Sequence, residues 1–204
     1  MDMKSLLYKD LMNLKQQLRF YAIILVFYAV IGVRQGDMSF LGMVMAIFAV
    51  MLSVTAYAYD ERAGWDKYAL TMPFGIRELV WSKYVLAVGG VLLVAAVMIP
   101  VNIFSGILVR EAFGLAASWI AMGLFITECI LPVIFRFGVE KGRLMMFVIL
   151  LLPTMLVLFL GQSVFQKIPP RMLENAIFLS PVLLLIFLPL SVWISYRMYK
   201  KKEL

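Results

Sequence analysis

The chain has 204 residues, 64% of them hydrophobic and 15% charged, with a formal net charge of +7 and no histidine. Soluble domains run nearer to half apolar and a quarter charged, and here the apolar excess falls in blocks of about 20 residues, the length that crosses a bilayer. Composition therefore excludes an ordinary soluble domain, and the missing histidine excludes the zinc-protease pattern and the Ser–His and Cys–His pairs of nucleophilic catalysis.

The first 19 residues place Met3, Leu7, Leu11, Leu14 and Leu18 at helical spacing. The spacing predicts an amphipathic helix over 1–19, lying in the headgroup plane with Lys4, Lys15 and Arg19 off its apolar stripe. A plain extension of the first span is the other reading of this stretch. Six apolar blocks follow, at about 20–36, 38–59, 84–108, 113–137, 144–164 and 176–196. In lipid each backbone polar group needs an internal partner, so blocks of this length are helices, and no strand alternation points to a barrel. The expected fold is all-α, a single six-span membrane domain over 1–204.

Lys and Arg set the orientation. With the N-terminus inside, the inner segments hold 15 of the 19 Lys and Arg residues and the outer segments four. Both termini are then cytoplasmic, and the net positive charge faces anionic lipid rather than nucleic acid. Short outer turns are expected around Arg34–Asp37 and Arg110–Glu111, with a longer one over Phe165–Asn175.

The inner segment 60–83 is the longest polar stretch between spans. Trp65, Tyr68, Ala69 and Met72 stand at i, i+3, i+4 and i+7, one face of a short helix. Pro73 and Gly75 break it, and a second short helix carries Ile76, Leu79 and Val80, with Glu78 near its start. Asp60, Glu61, Arg62, Asp66 and Lys67 form a face of mixed sign around the aromatic residues, as at a protein-docking surface. Trp81 and Tyr84 fall at the level of an aromatic belt.

Within the spans, Glu128 is the costly residue, since membrane acids face a bundle interior or a cavity. Ser53 and Thr154 lie at a similar depth and are candidate hydrogen-bond partners; Glu128 then faces either a translocation path or a subunit seam, or acts as a structural clamp. Asn102 is a candidate for a hydrogen bond between helices. Cys129, the only cysteine, reads as a small buried apolar residue and leaves no disulfide or multi-cysteine metal site. No Gly-rich phosphate loop ends in Lys-Ser or Lys-Thr, so the chain has no such machinery for ATP hydrolysis.

The stretch "DERAGWDKYALTMPFGIRELVWSKY" resembles the acidic, Trp, Tyr, "LP" and "SKY" pattern between spans two and three of small bacterial ABC type-2 exporter permeases. The layout of the whole chain is similar to theirs, with Met72 in place of the usual Leu and Gly75 in place of a Ser/Thr helix start. The resemblance implies a permease subunit of the bacterial cytoplasmic membrane that is not itself an enzyme. It implies a second permease copy, the same or similar, and a separate cytoplasmic ATPase that binds ATP and Mg. It implies that Glu61, Trp65, Asp66, Lys67 and Tyr68 form a helix docked on that ATPase, bent at Pro73. Arg77, Glu78 and Lys83 would tie the following helix to the ATPase or to the membrane surface. The cargo expected is amphipathic or hydrophobic, a membrane-active peptide being one such molecule. A non-transporting scaffold, regulatory or immunity protein that recruits a cytoplasmic partner is the alternative.

Overall fold

A computed structural model describes residues 3–65, 68, 75–165 and 169–200. Among these residues the chain forms six α-helices and no strand. They are α1 (Met3–Gln35), α2 (Ser39–Arg62), α3 (Ile76–Phe104), α4 (Val109–Phe137), α5 (Val139–Phe165) and α6 (Pro170–Lys200). Five of them, α1 from Ser5, α2, α3, α4 and α6 from Arg171, are long and apolar enough to cross a membrane. The block read as the fifth span, 144–164, lies within α5, whose charged residues Glu140, Lys141 and Arg143 all precede it.

The helix α4 is the centre, packed on α2, α3, α5 and α6, while α1 lies against α2 and α3. Small residues let these helices approach. Gly123 of α4 faces Val91 of α3, Gly90 of α3 faces Ala49 of α2, and Gly42 of α2 lies under the Trp119 ring of α4. The core gathers Val50, Val54, Tyr57, Tyr84, Ile130, Ile134, Phe135 and Tyr199. Phe135 sits edge-on to both Tyr57 and Tyr199, with ring centroids 5.0 and 5.6 Å away.

Two expectations are corrected at the N-terminus. First, α1 is one unbroken helix of 33 residues, about 50 Å long at 1.5 Å per residue, so residues 3–19 extend the first span rather than forming a separate helix. Second, its buried residues are Leu6, Asp10, Leu14, Tyr21 and Gly32, so of the predicted stripe Leu14 is buried while Leu11 and Leu18 are half exposed. The buried face shares Leu14 with the stripe but is turned toward Leu6 and Asp10, whose carboxylate has ionic partners there.

The turns are short. Gly36, at φ 72°, reverses the chain after α1, and Asp37 accepts the Ser39 N–H at 2.8 Å at the start of α2. That bond holds the Asp37 carboxyl below its ordinary value. The α3–α4 turn falls at 105–108, so Arg110 and Glu111 belong to the first turn of α4 rather than to the loop. A single residue, Gly138 at φ 83°, separates α4 from α5. The second short helix expected after Gly75 is no separate element, since α3 runs on from Ile76 to Phe104.

Candidate functional site

The ends of α1, α2 and α3 that flank the connection 63–75 meet in a buried ionic cluster. Lys83 Nζ lies 2.7 Å from Asp10 Oδ2 and 2.6 Å from Asp60 Oδ2. Lys9 Nζ lies 2.6 Å from Asp60 Oδ1 and 3.4 Å from Asp10 Oδ1. Two lysines and two carboxylates alternate, so the set is neutral. Side-chain exposure is only 3% for Lys83, 1% for Asp10 and 6% for Asp60, with Lys9 at 24% opening toward the surface. Charges this deep hold only when paired. The fold therefore ties α1, α2 and α3 together at one point, which the Ser53 hydroxyl reinforces by donating to the Lys83 carbonyl at 2.7 Å.

Trp65 joins this cluster to the connection. Lys9 Nζ stands 4.3 Å from the centroid of its ring, within cation–π range, and the ring packs beside Leu6 and Leu79. Its indole nitrogen is enclosed and has no hydrogen-bond partner among the described residues. Tyr68, by contrast, is 64% exposed. Asp66, Lys67 and Pro73 lie outside the described residues.

Glu61 turns the other way. Its carboxylate accepts the Val139 N–H at 2.9 Å, and Val139 is the first residue of α5. Helix starts leave N–H groups without internal partners, and the helix dipole favours an acid there. Gly138 has the space this needs: a Cβ on it would lie 2.6 Å from Glu61 Oε1. Glu61→Ala should cost about 0.5–2 kcal/mol, as lost caps do. Hydrogen exchange at the first turn of α5 checks this, with Glu61→Gln expected between wild type and Ala. Unchanged exchange in Glu61→Ala would remove the capping role.

At the start of α3, Gly75 N–H donates to Glu78 Oε2 at 3.3 Å. Only the acidic half of a capping box operates, because glycine stands where a hydroxyl residue would return the bond. Arg77 and Glu78 are exposed there.

The structure redistributes the expected roles. Lys83 is consumed inside the bundle and does not face the surface, and buried Asp60 leaves the mixed-sign face for the cluster. Tyr84, expected at the belt, is 1% exposed; its hydroxyl bonds Ser191 at 2.7 Å and Ser195 at 2.8 Å on α6. Ser191 also donates to the Glu128 carbonyl at 2.9 Å. Neither Ser53 nor Thr154 pairs with Glu128: Ser53 donates to Lys83, and Thr154 donates to Leu150 one turn back. Glu128 is half-buried, with Oε1 enclosed and unpartnered among the described residues. Asn102 is fully buried, and neither of its amide atoms has such a partner either. Cys129 is half-buried rather than enclosed. Asp10, Ser191 and Ser195 escaped the sequence reading, although serines at i and i+4 in an apolar span are a signal of contact between helices.

Over residues 5–200 the chain matches the family described as ABC-2 family transporter protein, and it belongs to that family. No curated protein and no solved structure matches it. Membership makes the chain a membrane permease component of ABC transporters, which associate with a cytoplasmic ATPase.

Proposed function

We propose that the chain is an exporter permease that pairs with a second permease copy and couples through the connection 63–75 to a separate ATPase. One observation supports this most. The helices on either side of the connection are fixed in the ionic cluster, through Asp60 three residues before it and Lys83 eight residues after it, and Trp65 rests against Lys9 of the same cluster. A push on the connection is then carried to α1, α2 and α3 together. In this reading Tyr68, Arg77 and Glu78, which are exposed, meet the ATPase along with Asp66 and Lys67, while Trp65 transmits the motion inward. Glu61 carries the same displacement to the start of α5. ATP and Mg bind the partner chain, whose hydrolysis supplies the energy, and the cargo is amphipathic or hydrophobic.

The test is co-purification. Tyr68→Ala combined with Asp66→Arg should abolish capture of the ATPase while membrane insertion stays unchanged, because exposed aromatic residues carry much of an interface. Full ATPase capture by that double variant would overturn the docking reading.

A further inference from the structure

A groove of about 560 Å³ opens between α1, α2 and α3, apart from the ionic cluster. Its walls include Leu18, Tyr21 and Leu25 of α1, Phe48 of α2, and Gly89 and Leu93 of α3. Tyr21 stacks on Phe48 with ring centroids 4.4 Å apart, which fixes one wall. Gly89 keeps the floor open: a Cβ placed on it meets nothing within 4 Å. Leu18 and Leu93 remain 41% and 61% exposed, so the groove is open to its surroundings.

We propose that this groove holds an acyl chain of an anionic phospholipid from the leaflet nearest the ionic cluster, with Lys15 and Arg19 meeting its phosphate. Three observations carry the assignment. The lining is almost wholly apolar, so it offers no set of partners for a polar ligand or for ordered water. The α3 floor, Val85 to Val94, is about 13.5 Å long at 1.5 Å per residue. That is close to one leaflet's share, about 15 Å, of a hydrocarbon core about 30 Å thick. Lys15 stands four residues after Leu11 and three before Leu18, both lining residues, so it shares their side of α1. Arg19 is one turn further, both cations are exposed, and neither has an ion-pair partner among the described residues. A cation beside the mouth complements a phosphate, and a greasy trench of leaflet depth suits the tail attached to it.

The experiment uses the full-length chain reconstituted with equimolar phosphatidylglycerol and phosphatidylcholine, then released for native mass spectrometry. Wild type should retain phosphatidylglycerol preferentially. Lys15→Ala with Arg19→Ala, both at the surface and harmless to folding, should reduce that preference several-fold. Gly89→Phe, which fills the floor, should lose most of the retained lipid while eluting as wild type does on size exclusion. Equal retention of the two lipids by wild type would overturn the proposal, as would undiminished retention in Gly89→Phe. So would a Gly89→Phe chain that keeps its lipid but changes its oligomeric state, because a second copy would then be the occupant.

Discussion

Lys83→Ala should destabilise the folded chain by about 3–5 kcal/mol, the usual cost of stranding a buried partner of an ion pair. Lys83 neutralises two carboxylates at once, those of Asp10 and Asp60, and Lys9 alone cannot balance both from its half-open position. The result should appear as a large drop in the unfolding temperature in detergent. It should also appear as protease cleavage in the first turns of α1, which the cluster holds to α2 and α3. A triple variant provides the control: Lys83→Met with Asp10→Leu and Asp60→Leu leaves only Lys9, which is already 24% exposed. Replacing a buried ionic set with apolar groups is often neutral or better, so the triple variant should be more stable than Lys83→Ala alone. If the single variant matches wild type, or the triple is the worse of the two, the cluster does not hold these helices together.

The second large effect is expected at the seam of α3 and α4. A Cβ on Gly123 would stand 2.5 and 2.9 Å from the two γ-carbons of Val91. Val91 is 1% exposed and β-branched, so it cannot swing aside. Gly123→Ala should therefore cost about 1–3 kcal/mol by overpacking, despite alanine's better helix propensity. Val91→Ala alone leaves a cavity and is also destabilising. Together they should be less harmful than their sum, because the new methyl enters the space that valine vacated. Thermal unfolding of the four chains measures this coupling. Additive losses would mean that the two residues do not compete for space.

The apolar helices are legible in the sequence but several of their ends are not: the blocks read from about 20, 84, 144 and 176 belong to helices that start at Met3, Ile76, Val139 and Pro170, so 170–175 of the expected Phe165–Asn175 turn is helix. Unbroken apolar runs such as 84–108 have one solution in lipid, and the turn around Arg34–Asp37 punctuates them, whereas the single-residue break at Gly138 is not legible in them. The family pattern was legible too, in "SKY" and the aromatic residues before it. Partnership was not. Lys83 and Tyr84 of "SKY" look alike as interfacial residues, yet one completes an ionic cluster and the other bonds α6. The decisive partners, Asp10 and Ser195, lie 73 and 111 residues away. Depth alone nominated Ser53 and Thr154 as partners for Glu128, but each hydroxyl had a backbone carbonyl within closer reach. Helix periodicity also leaves open which of two adjacent faces is buried, and on α1 the buried face holds Leu6 and Leu14 together with Asp10, while Leu11 and Leu18 stay half exposed.

Two pairs of neighbouring residues flank the connection 63–75. Asp60 grips α1 and α3, and Glu61 holds the head of α5; Lys83 grips α1 and α2, and Tyr84 holds α6, which reaches α4 through Ser191. Five helices thus meet at two dipeptides, and α4 joins them through α6. In the proposed coupling the segment between them would serve as a bail handle hinged on one plate: the helices at its two ends are tied to each other, so a pull on it would tilt the assembly instead of unwinding one helix.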